Sequence, residues 1–208
     1  VEHEYNVHLV DTLKYELEIV KKQLFELSNP TILDSGKCGE NLTWTLYSDG
    51  LLKISGTGRS YDYVKGTMIG KTRTEIEEYT ANSSDELVKK HYGFQEGKTY
   101  DDEHGQYVAP WYRYRPEPEI GTGGYTSEEV YNSHNPNGYQ YNRIEIDKGI
   151  TYIGDWMFYR VCGATELIIP EGVTEIGRWC IRFCTSVINV YLPDTLTTIG
   201  EYGIARHE

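Results

Sequence analysis

One pattern limits what this chain can fold into more than any other: a 23-residue unit that recurs through three copies between Ile144 and Ile204. Ile146, Ile169 and Leu192 stand 23 apart, as do Ile150, Val173 and Leu196, then Ile153, Ile176 and Ile199, then Gly154, Gly177 and Gly200. Trp156, Trp179 and Tyr202 keep the same phase and are followed two residues later by Phe158, Ile181 and Ile204. A unit this short cannot bury an apolar face by itself, so like units must stack and cover one another. The repeat predicts an α+β, mainly β solenoid with 23-residue rungs over residues 144–208. The first strand of each rung should build a short sheet, with Trp156, Phe158, Trp179 and Ile181 packed between rungs. After Ile204 comes Ala205-Arg206-His207-Glu208 rather than a polar capping unit. The expectation is that another subunit, or more chain, closes that end.

Residues 1–30 read differently. Val10, Leu13, Leu17, Val20, Leu24 and Leu27 follow at steps of 3, 4, 3, 4 and 3, a heptad seam on a helix over residues 7–27. Glu16, Glu18, Lys21, Lys22, Gln23 and Glu26 fill other positions. Such a helix either folds back on its own domain or joins copies of the chain. A stripe of only two apolar positions per heptad favours self-association over domain packing, which uses a wider face. The reading is a coiled-coil homo-oligomer, trimer preferred. Ser28-Asn29-Pro30 stops the helix.

Within residues 31–63, a β-hairpin is predicted over 42–56, with Leu42, Trp44 and Leu46 alternating before the Ser48-Asp49-Gly50 turn and Leu52 and Ile54 after it. Residues 64–143 lose this periodicity. Two short helices are expected there, near 74–79 and 84–91, the second begun by Ser83 or Ser84. Tyr dominates the aromatics, 19 against 4 Phe and 4 Trp. Many of these crowd the Gly- and Asn-rich stretch from Tyr100 to Tyr141. Tyr on adaptable loops is a recognition composition, and its flat face also suits sugar rings. The contact surface is therefore expected in residues 64–108 and 116–142, with Tyr125, Tyr131, Tyr139 and Tyr141 as anchors. The alternative is that these loops fold their Tyr onto the solenoid or onto a neighbouring subunit.

Charge narrows the partners. Thirty-two acidic against 20 basic residues give a net charge of −12, which argues against nucleic acid and anionic membranes. No stretch approaches a membrane span, and no secretory signal is visible at the start of the sequence. Gly66-Thr-Met-Ile-Gly70-Lys71-Thr72 resembles a phosphate loop but is one residue short between its glycines. Asp101-Asp102-Glu103-His104 lacks the spacing of a calcium loop. The six His show no paired ligand spacing, no Gly-x-Ser-x-Gly elbow occurs, and there is no Cys-x-x-Cys. No catalytic residue, cofactor or metal is expected, and the four Cys read as small core residues.

Ile169-Pro170-Glu-Gly172-Val173-Thr174-Glu-Ile176-Gly177, with an aromatic-x-apolar step after it and Cys184, resembles the BspA-like leucine-rich-repeat family. Ser35 to Leu46, Ile54 to Gly58 and Ala109 to Arg115 are similar to that family's leading hairpin and the link into its first rung. Residues 64–108 and 116–142 depart from it as insertions, and Val161 stands where the repeat Cys belongs. The resemblance implies a surface-adhesion module of a kind also found in phage tails, without catalysis. Combined with the heptad seam, it implies an attachment protein of a virion tail or baseplate, with a host-surface glycan or protein as partner. The alternatives are a secreted bacterial surface adhesin, or a structural virion part whose inserts bind other virion proteins.

Overall fold

Parallel pairing at a constant offset organises the C-terminal third of the computed structural model, which describes residues 2–115 and 133–205. Ahead of it, α1 (Glu2–Ser28) begins earlier than the heptads require. Asn29 N donates to Phe25 O at 2.9 Å and Pro30 follows, so the helix stops where the sequence predicts. Next come β1 (Ile32–Gly39), β2 (Leu42–Tyr47), β3 (Leu51–Gly56) and the short β4 (Gly58–Arg59). Alternation along β2 puts Leu42, Trp44 and Leu46 inward, each at most 4% exposed.

The insert contains α2 (Arg73–Asn82) and α3 (Glu86–His91). Asp85, not Ser83 or Ser84, caps α3: Leu87 N donates to its carboxylate at 2.8 Å. Ser83 instead ends α2, and its hydroxyl accepts from Asp85 N at 3.1 Å. A single-turn 3-10 helix, Pro110–Tyr114, leads toward the repeats. Then follow β5 (Arg143–Ile146), β6 (Ile150–Ile153), β7 (Glu166–Ile168), β8 (Glu175–Ile176), β9 (Ile181–Arg182), β10 (Asn189–Tyr191), β11 (Thr198–Ile199) and β12 (Ile204–Ala205). Every pair among the repeats is parallel and 23 residues apart: Tyr152 with Glu175, Glu175 with Thr198, Glu166 with Asn189, and Ile181 with Ile204. The sheet β11-β8-β6-β4 and the sheet β1-β2-β3-β5 tie the hairpin to the first copy, since β3 runs parallel to β5 and β4 to β6.

Aromatic side chains stack along the repeats. Trp156 lies 5.0 Å from Trp179 with ring planes 8° apart, and Trp179 lies 4.9 Å from Tyr202. All three have left-handed backbones, φ 59°, 55° and 54°. That geometry costs a non-glycine residue about 1–3 kcal/mol. The cost is offset by bonds between copies, Trp156 N to Arg178 O at 3.0 Å and Trp179 N to Glu201 O at 3.1 Å, and by ring contact.

The insert shares this core. Val64, Met68, Ile76, Tyr107 and Trp111 are buried with the repeat residues, and Trp111 Nε1 donates to Met157 O at 3.0 Å. A charged joint reinforces it. Asp155, fully buried, accepts from Lys98 Nζ at 2.9 Å and from Arg178 N and Nε at 2.7 and 2.9 Å. Asp62, 3% exposed, accepts from Tyr152 Oη, Asp155 N and Thr99 N. The aspartates thus join the hairpin end, the insert and two repeat copies. Asp155→Asn removes the charge that Lys98 and Arg178 share, so urea denaturation should show a loss of about 3 kcal/mol. Glu175→Gln, which breaks only the exposed pair with Arg59, should change stability by less than about 0.5 kcal/mol.

All four Cys are free and buried. Cys184 Sγ donates to Phe158 O at 3.1 Å, a bond between copies. Burial pushes the Cys38 and Cys184 thiols up to about 12, and Cys180 is raised by the same cause. Native protein at pH 8 should therefore show almost no thiol reactivity toward a disulfide reagent, and denatured protein should titrate four thiols. Rapid labelling of native protein would contradict this packing.

Candidate interaction surfaces

Three surfaces could serve recognition, and the first is α1. Residues 12–25 are exposed all round, so this helix does not fold back on the repeats. Leu13, Leu17, Val20 and Leu24 are 53, 52, 48 and 58% exposed. The side chains of Val10 and Leu27 lie outside the described residues. Tyr15, Ile19 and Phe25 are exposed as well, which makes the apolar surface wider than the heptad seam alone.

The second is the Tyr set of the insert. Tyr125 and Tyr131 lie outside the described residues. Tyr139 is half-buried, 6.4 Å from the Tyr114 ring, and its backbone is clamped by the Asn135 amide at 2.8 and 3.0 Å. Tyr141 is 1% exposed within the core, so it packs the fold and cannot anchor a partner. Tyr107, Tyr112 and Tyr114 are buried too. Most of the described Tyr therefore follow the alternative in which the loop folds onto the repeats. The physical reason is that a phenol end can be satisfied inside a core as readily as at an interface. Tyr100 Oη accepts from Gln95 N at 2.9 Å, and Tyr114 Oη donates to Asp34. Burial raises the Tyr63 and Tyr141 hydroxyls well above the usual tyrosine range.

The third is a pair of adjoining cavities that the sequence does not announce. One, of about 500 Å³, lies between the Gly66–Thr72 loop and residues 105–108, with Lys71, Arg73, Arg113 and His134 on its walls. The other, of about 480 Å³, is bordered by β1 and by Asp101 and His104. Gln106 and Arg113 line both. The phosphate-loop lookalike forms one wall, but the start of α2 is closed. Thr72 and Glu75 make a capping box, and bonds from the Thr72 backbone and hydroxyl hold the Glu75 carboxyl below its ordinary range. The Thr72 and Glu75 amides are taken up by that box. The acidic cluster disperses likewise: Asp101 accepts from His104 N and Nδ1, while Asp102 pairs with Arg73 at 2.6 Å. Among the described residues, no three His, Cys, Asp or Glu side chains are placed to hold a metal ion. No described helix is long and apolar enough to cross a membrane.

Sequence reasoning missed the Asp62–Asp155 joint, because its members are 93 residues apart and only the fold brings them together. No curated protein matches the chain. Among solved structures, a leucine-rich repeat protein from Eubacterium ventriosum is similar over 82% of this chain, at 18% identity and a TM-score of 0.39. The chain spans 35% of the length of that protein. The family model described as BspA type leucine rich repeat region matches residues 136–206, in 6 copies. The match falls on the part of the chain where the strands pair in parallel, and residues 136–206 are thus similar to a BspA type leucine rich repeat region.

Proposed function

We propose that this chain is a non-enzymatic attachment module. It is a leucine-rich-repeat solenoid of 23-residue rungs carried on a coiled-coil helix, presented in several copies to a host surface. The setting we favour is a phage tail or baseplate, with a bacterial cell-surface adhesin as the alternative. The observation that carries the reading is the half-exposed Leu13, Leu17, Val20 and Leu24 seam, on a helix that stands apart from the BspA type repeats. Exposed Leu at heptad spacing has no use in a lone chain, and a coiled coil supplies its cover. Three such chains place three modules side by side, and effective concentration then multiplies weak single-site binding. The insert supports recognition by loops on a rigid scaffold, with Tyr125 and Tyr131 the anchors left to test.

The seam is tested by Leu17→Asp with Leu24→Asp. Light scattering should give a trimer mass for the parent and a monomer mass for the variant. Unaltered melting of the repeats should accompany this, and retention on bacterial cells should fall by about 10²-fold or more as avidity is lost. A variant that keeps the parent mass would remove the seam from the assembly. Separately, Tyr125→Ser with Tyr131→Ser should leave mass and melting unchanged and lower cell retention about tenfold or more. Unchanged retention would move the contact to another part of the chain.

A further inference from the structure

The two cavities share Gln106 and Arg113 in their walls, so they are taken together as a groove, and their chemistry is uneven. Each lies within the range of about 300–1,000 Å³ typical of small-ligand sites. The described walls of the first cavity carry Lys71, Arg73 and Arg113 and no carboxylate. In a chain with 32 acidic and 20 basic residues, that is a local reversal of sign. Arg73 is already engaged by Glu77 at 3.0 Å and Asp102 at 2.6 Å, so it adds little net charge. Lys71, which is exposed, and Arg113 remain as the cations that face the space. Arg113 is held in place, its Nε donating to Pro110 O at 3.1 Å. Gly70, with φ +75°, lets His134 lie against the same wall, where a Cβ would come within 2.7 Å of Nε2.

The second cavity is mixed: Asp34 accepts, Lys37 and Arg113 donate, and Gln106 can do both where the two spaces meet, while the Asp101 carboxylate beneath is buried and taken up by His104. Its aromatic contribution is slight, because Trp44 is 4% exposed, and Tyr107 in the first cavity is only 8% exposed. Neither space offers the deep apolar pocket in which a peptide seats an anchoring side chain. Donors and acceptors in several directions, with a cationic end, suit a polyhydroxylated ligand bearing one anionic group per pair of rings.

We propose that this groove binds an acidic oligosaccharide. A sugar carboxylate meets Lys71 and Arg113 in the first cavity, and the hydroxyls of a neutral neighbouring sugar meet Asp34, Lys37 and Gln106 in the second. This rests on the reading of the chain as an attachment module and supplies the class of ligand. The groove lies where the family-like hairpin and the insert meet, so it belongs to this chain's own departures from the repeat pattern.

The probe is a hexasaccharide of alternating glucuronic acid and N-acetylglucosamine, with the neutral N-acetylglucosamine hexamer and free glucuronate as controls. Calorimetry with the full chain should show binding of the acidic hexasaccharide that weakens as salt rises. Both controls should bind about tenfold more weakly or worse, because each lacks one half of the complement. Lys71→Glu should weaken the hexasaccharide by about tenfold with unchanged melting, since the residue is exposed. Arg113→Gln should weaken it by a similar factor. Equal binding of the neutral hexamer, equal binding of free glucuronate, a Lys71→Glu variant that binds like the parent, or stronger binding of an oligoglutamate peptide would each overturn the assignment. The monomeric Leu17→Asp, Leu24→Asp variant should keep the single-site affinity. If the parent adheres to cells but ignores the hexasaccharide, the groove assignment falls and the attachment reading stands. If the hexasaccharide binds while cells are not retained, the groove stands and that reading falls.

Discussion

Each copy of the repeat lies directly on the next, so any position must be able to pack against its own equivalent one strand away. Thr174 N donates to Thr151 O at 3.0 Å and Thr197 N to Thr174 O at 2.9 Å, while Trp156 covers Trp179. The glycines are the strictest case. A Cβ on Gly177 would lie 2.4 Å from Asp155 N, and one on Gly200 would lie 2.7 Å from Arg178 N. These are backbone atoms that cannot move aside. The Ile-Gly step therefore recurs because the chains touch there, and the inward Ile beside it fills the space that contact encloses. A change at one copy is felt by its neighbour, which keeps the period at 23 residues through every paired strand.

A stack needs something on its first copy. Residues 58–62 take that place: Gly58 pairs with Ile150, Arg59 with Tyr152, and Ser60 Oγ accepts from Gly154 N at 2.7 Å. Asp62 then accepts from Asp155 N, while Asp155 accepts from Arg178 N one copy further on. Two buried carboxylates thus satisfy amides at successive levels, and Lys98, reaching in from the insert, lies 2.9 Å from Asp155 and 3.7 Å from Asp62. Buried charge of this kind is tolerated only when paired and hydrogen-bonded. The insert is consequently tied to the fold by the same groups that hold the first copies in register.

What could be read in the sequence follows from what kind of signal each part carries. The repeat and the β2–β3 hairpin were legible because periodic apolar residues act locally or at a fixed offset. The start of α3 was misread by one or two residues, since Ser83, Ser84 and Asp85 are all good caps and only the backbone decides among them. The Tyr residues were legible as unusual and illegible in role. Tyr141 is as buried as Ile153 and Ile176, and no local pattern separates it from an exposed loop Tyr. The groove was invisible for a related reason: Asp34, Lys71, Asp101 and Arg113 share no spacing, and only the docking of the insert against the hairpin encloses space between them.

The two exposed features of the chain answer different physical needs. A groove whose polar groups are partly paired gives back to solvent much of what it gains from a hydrophilic ligand, since every hydroxyl or carboxylate it takes up was already hydrated. The single-site affinity expected of the proposed groove is therefore modest. The half-exposed Leu of α1 have the opposite character, because their burial gains apolar area at roughly 25 cal/mol per Å² and loses no hydrogen bond. In the proposed assembly, association through α1 would thus be the strong contact and recognition by the module the weak one. Joining them converts several weak contacts into one durable one, provided the modules stay rigid enough to face the surface together. The buried carboxylate joint and the stacked aromatics supply that rigidity where the insert meets the repeats.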